Sequence, residues 1–135
     1  MASILKVNTL TGVTAAGTIA VTAEGGSTTT NLQQGLAKCW VQYNASTAIQ
    51  DSLNTTSLTD SATGKTIWII ASDMNNDDYA VTTSAANGDA SATSNTLDPH
   101  TFATGNVSLN GFAGAGTASL ADRSHCSAMI MGDLA

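Results

Sequence analysis

The large apolar residues of this chain gather in three short runs that alternate with a period of two. They are LAKCWVQYN over residues 36–44, KTIWIIAS over 65–72 and SHCSAMIMG over 124–132. A period of two sends neighbouring side chains to opposite faces of an extended strand, whereas a helix needs apolar residues three and four apart. In the first run Ala37, Cys39, Val41 and Tyr43 share one face, and Trp40 lies on the other with Lys38 and Gln42. The second run is apolar on both faces, Ile67 and Ile69 against Trp68 and Ile70, which predicts a central strand buried on both sides. In the third, Cys126, Ala128 and Ile130 oppose Met129 and Met131.

The rest of the chain is written in weaker strand signals and strong turn signals. Residues 3–10 read as a short strand with Leu5 and Val7 on one face. Residues 11–22 are Thr/Ala/Gly-rich and extended, and 23–30, AEGGSTTT, read as a flexible connector. Asn31 is placed to cap a single helical turn that Gly35 stops. Residues 49–59 alternate Thr with apolar residues and are expected to be one segment. Gly64 follows Ser61-Ala62-Thr63 at the position of a hairpin that needs φ > 0. Residues 79–83 alternate again, 85–98 read as a polar loop, 101–110 as a strand, 110–116 as a Gly-rich link without packed structure, and 117–121 as a short strand. No long amphipathic helix interrupts the series. The expected fold is all-β: an antiparallel β-sandwich or barrel-like domain over residues 31–135, preceded by an extended N-terminal arm and linker over 1–30.

Composition limits what such a domain does. Leu, Ile, Val and Phe make up 25 of the 135 residues, near the border at which a chain cannot bury enough surface to order itself. The net charge of −6 is too small to force the chain open. A thin core in an ordered chain points to apolar surface shared between subunits. Four cations, Lys6, Lys38, Lys65 and Arg123, are scattered among ten acids. That argues against nucleic acid, which draws on clustered cations. No apolar run approaches the ~20 residues of a spanning helix, so membrane insertion is not expected. The first residues lack the charged and apolar regions of an export signal.

Little in the chain points to chemistry. Asp73-x-Asn75-x-Asp77-Asp78 places oxygen ligands at alternate positions, as Ca²⁺ loops do, but the sixth position is Asp78 where a Gly is needed and the twelfth is Ser84 where a Glu is needed. A solvated acidic turn is the preferred reading. His100, His125, Cys39 and Cys126 have no zinc-ligand spacing, and His125 and Cys126 point to opposite faces of a strand. The two cysteines read as small buried hydrophobes, with a disulfide left open. No nucleophile stands in a G-x-S-x-G elbow, so no catalytic residue, no cofactor and no metal site are expected. Three N-glycosylation patterns, at Asn44, Asn54 and Asn106, are what chance supplies in a chain rich in Asn, Ser and Thr. An aromatic sugar platform is a minor reading of the six aromatics.

Three parts of the chain carry a resemblance. The opening MASILKVNTLT, the stretch GLAKCWVQYN followed by IQDSLNTTSLTD, and the ending SAMIMGD together resemble small structural proteins of tailed, marine-type bacteriophage virions. They make up 40 of the 135 residues. The resemblance implies a capsid decoration or cement protein on the outer surface of the virion, assembled in the host cytoplasm and stabilising the particle. The alternative it implies is a tail-fibre or head-fibre module that binds the host surface. The partners it implies are the major capsid protein or tail components, sister subunits of a homotrimer, and in the alternative a host-surface glycan. On that reading Ile4, Leu5 and Val7 dock the arm, and Trp40, Trp68, Ile69 and Met129 form the core or the trimer contact.

Overall fold

The computed structural model describes residues 4–13, 19–22, 26–27, 29–87, 95–114 and 119–135. It divides into two compact units, Met1–Leu36 and Ala37–Ala135. Every regular element among the described residues is a strand, and every strand pair is antiparallel.

The first unit holds a small two-stranded ribbon. β1 (Ala20–Thr22) pairs β2 (Thr29–Asn31), so the predicted connector supplies the second strand of a ribbon. Asn31 then caps the expected turn: its Oδ1 accepts from Gln33 N at 2.8 Å and Gln34 N at 3.2 Å, and Gly35 N donates to Asn31 O at 3.1 Å. Residues 4–10 form no strand, contrary to the expectation for 3–10 (Ser3 lies outside the described residues). Their alternation marks a sequence able to extend, but a strand needs a hydrogen-bonded neighbour and no strand partner for them is found among the described residues.

The second unit is a β-sandwich. One sheet has the order β4–β3–β11–β7, from β4 (Ile49–Leu53), β3 (Ala37–Tyr43), β11 (His125–Met131) and β7 (Ala80–Ala86). The other runs β5–β6–β9–β8, from β5 (Thr55–Ala62), β6 (Lys65–Ile70), β9 (Asn106–Ala113) and β8 (Asn95–Ala103). The two-residue β10 (Ser119–Leu120) pairs the far end of β9 beyond the end of β6. The predicted parities hold in the three apolar runs. Cys39, Val41, Tyr43, Cys126, Ala128 and Ile130 face inward from one sheet, and Trp68, Ile70, Val107, Leu109 and Leu97 from the other. Leu58, Val81 and Ala85 pack against this core.

Strand boundaries differ from the sequence reading at four places. Residues 49–59 are two strands in different sheets, divided at Asn54, which adopts φ 53°. Residues 101–110 are two halves of the β8–β9 hairpin, folded at Thr104 and Gly105. The link after Asn110 is partly strand, because β9 runs on through Gly111 to Ala113. Likewise Ala85 and Ala86 close β7, and Asn95 to Asp98 open β8, within the stretch read as a polar loop; residues 88–94 lie outside the described residues. Gly64 takes the expected left-handed position, φ 69°. A Cβ on Gly111 would stand 2.7 Å from Ala121 O, so the absence of a side chain lets the β10–β11 link lie on β9.

Candidate functional site

The outer face of the β4–β3–β11–β7 sheet carries the most distinctive surface of the sandwich. Register places Thr82, Met129, Trp40 and Leu53 in one cross-strand row spanning all four strands. The next row is polar: Ser84, Ser127, Gln42 and Asp51. Trp40 is half-buried, while Met129 and Leu53 are 37% and 48% exposed. Between Trp40 and the short side chains of β11 and β7 lies an open groove, lined by Trp40, Gln42, Thr82, Ser84, Ser127 and Met129 together with backbone of the same strands.

The platform beneath is fixed by a chain of hydrogen bonds through the core. The buried indole Nε1 of Trp68 donates to Thr55 Oγ1 at 3.0 Å, and that hydroxyl donates to Trp40 O at 3.2 Å. Asn54, at the corner, donates through Nδ2 to Lys38 O and Ser72 O, both at 3.2 Å, and accepts from Ser72 N through Oδ1 at 2.7 Å. The residues flanking Trp40 are therefore held from both sheets. At the opposite seam the Thr83 hydroxyl donates to Leu97 O, and Tyr79 OH donates to Ala103 O at 2.8 Å.

The residues singled out from the sequence fall in four places. Trp40 and Met129 are directly opposite each other on the outer face. Trp68 is fully buried and belongs to the core, out of reach of any partner. Ile69 is half-buried on the outer face of the other sheet, between Ser57 and Asn106. Ile4, Leu5 and Val7 lie in the first unit, 75%, 78% and 55% exposed. Parity along β3 and β11 assigns Trp40 and Met129 to outer faces. The register that makes them neighbours, and brings Leu53 and Gln42 beside them, is not written in either strand alone.

The remaining polar motifs have structural partners. Met74 is buried, and its N donates to Thr104 O; Asn75 N donates to Asp133 O and Ala135 N to Asp73 O, each at 2.9 Å. The acidic loop 73–78 is thus clamped between the β8–β9 turn and the C-terminal residues. Among the described residues no group of three or more His, Cys, Asp or Glu gathers to hold a metal ion. Cys39 faces Ile130, while Cys126 faces Tyr43 at the other end of the same strand pair. That offset along the strands is roughly 13 Å, beyond the reach of a disulfide, and both thiols are free and buried. Burial pushes the Cys39 thiol up to about 12, which leaves it protonated and inert. The amide of Asn44 closes the β3–β4 turn by accepting from Ser46 N and Ala48 N. The one buried cation, Arg123, donates through Nη1 to Asn95 Oδ1 at 2.6 Å and braces the β10–β11 link against β8.

Compared with protein-family models, curated proteins and solved structures, the chain matches none of them.

Proposed function

We propose that this chain is a non-catalytic structural protein of a bacteriophage virion, a decoration protein held on the outer surface of the capsid. The observation that carries the reading is the exposure of Ile4, Leu5, Val7, Leu10 and Val13 within the first thirteen residues. Such a segment is stabilised by adding to a sheet edge of another subunit, where its backbone groups pair and its apolar side chains are covered. In the proposal the arm docks on the major capsid protein, sister subunits associate as a homotrimer, and the sandwich projects from the particle. The thin core agrees with a protein whose full burial is reached only in the assembly.

A head- or tail-fibre module is the second reading, favoured by the uncharged groove over β3, β11 and β7. Electron cryomicroscopy of virions of the encoding phage, with the sandwich fitted to the map, separates the two. The decoration reading expects the domain on the head at local symmetry axes. Density for it only on the tail would overturn that reading.

A further inference from the structure

We infer that the groove on the outer face of the β4–β3–β11–β7 sheet binds a neutral polysaccharide chain. The inference rests on the side chains of the groove and stands apart from the capsid reading. A pyranose ring offers two surfaces: an apolar face of C–H groups and a rim of hydroxyls. A site for it needs a flat, anchored aromatic face beside uncharged groups that both donate and accept hydrogen bonds.

The groove supplies each part. Trp40 is its aromatic wall, partly exposed, with its backbone fixed by the Thr55 hydroxyl. Met129, directly opposite in register, extends the apolar floor. Beside them stand the amide of Gln42 and the hydroxyls of Thr82, Ser84 and Ser127. These four polar side chains make no hydrogen bond to another described residue. The hydroxyls of Thr55, Thr83 and Ser124, elsewhere in the sandwich, are by contrast engaged. The groove is thus a cluster of free donors and acceptors next to an aromatic face.

Charge selects the class of ligand. No lining residue of the groove is charged, although the chain as a whole carries −6. An anionic polymer finds no cation among the lining residues and meets Asp51 in register beside Gln42, Lys38 of the same face lying outside the lining. A neutral chain encounters neither penalty, and an open groove admits a polymer along its length where a closed pocket admits only an end. Gln42 and Trp40 are on β3, Ser127 and Met129 on β11, Thr82 and Ser84 on β7, so the site is built on sheet strands rather than loops and is preformed. Preformation lowers the ordering cost of a weak, displaced-water interaction.

The test is affinity electrophoresis of the full chain in native gels cast with hydroxyethylcellulose, galactomannan, xyloglucan, dextran or alginate. At least one of the four neutral polymers is expected to retard the protein, and alginate is not. Trp40→Ala should weaken the retardation about 10-fold or more and Gln42→Ala about 3- to 10-fold, with melting temperatures kept within a few degrees. Trp40→Phe should restore part of it. Because Trp68 is fully buried, the tryptophan emission shift on adding the retarding polymer should come from Trp40 and vanish in Trp40→Phe. Retardation by no neutral polymer, equal retardation of Trp40→Ala, or retardation by alginate alone would overturn the inference. So would a loss of self-association in Trp40→Ala without any polymer effect, which would make the face a protein interface. Head binding through the arm is measured separately, so either reading can fail without the other.

Discussion

Asn54 and Thr55 show how two polar residues shape this sandwich. Asn54 tolerates the left-handed φ that the corner needs and spends its amide on both neighbouring segments. Asn54→Ala keeps neither the amide bonds nor an easy φ, and should cost about 2–3 kcal/mol in urea unfolding. Asn54→Gly recovers the backbone freedom and should cost about half as much. Thr55→Val leaves the Trp68 indole N–H without an acceptor in the core, a loss of about 1–3 kcal/mol, and Thr55→Ser should recover most of it. Thr47, at φ 53°, is a β-branched residue in a region that costs ~1–2 kcal/mol, so Thr47→Gly should leave stability unchanged or raise it. The buried thiol adds a pH dependence. The folded chain holds the Cys39 proton up to about 12 against an ordinary 9.0, so above pH 9 the unfolded chain releases protons first and folding loses ground. Burial raises Tyr43 and Cys126 in the same direction. Stability should fall from about pH 9 toward pH 12, with a shallower fall in Cys39→Ala; a rise over that interval in a urea series would contradict the burial of these groups.

Among the elements, β3, β6 and β11 were legible because each carries enough large apolar residues for parity to be read directly. The inward faces came out as the alternation implies, but β6, expected to be buried on both sides, buries Trp68 and Ile70 fully and leaves Ile67 and Ile69 half-buried on the outer face. The β4–β5 corner was not legible. Thr, Ser and Leu alternate straight through it, and Asn54 bends the chain by a conformation that its neighbours do not announce. The β8–β9 hairpin was missed because Thr104-Gly105 is a short turn inside a polar, strand-like stretch. β9 ran past Asn110 because Gly111, unsuited to a strand by propensity, is required there by the close approach of Ala121 O. Gly111→Ala should therefore destabilise the sandwich by about 1–3 kcal/mol by displacing the β10–β11 link, measured as a drop in the urea midpoint. Of the groove, the sequence placed Trp40 and Gln42 on one face of their strand and Met129 on the face opposite Cys126 and Ile130. Thr82, Ser84 and Ser127 were not singled out, because short polar residues on an exposed face look alike until register gathers them beside a tryptophan.

For the molecule as a whole, the shortage of large apolar residues is unevenly borne. All thirteen buried hydrophobic residues of the core lie in Ala37–Ala135, and no described residue of Met1–Leu36 is fully buried. A chain beginning at Ala37 should accordingly melt within a few degrees of the full chain, because it retains the entire core. Residues 4–13 instead offer Ile4, Leu5, Val7, Leu10 and Val13 to solvent, and in the proposed assembly order them on another subunit. The central claim is that this segment holds the protein on the capsid. The most direct measurement is cosedimentation of purified, decoration-free heads with the full chain and with the chain beginning at Ala37. The full chain is expected to pellet with the heads to a saturating ratio while the shortened chain, equally folded, stays in the supernatant. Equal pelleting of the two forms, or no pelleting of either, would contradict it.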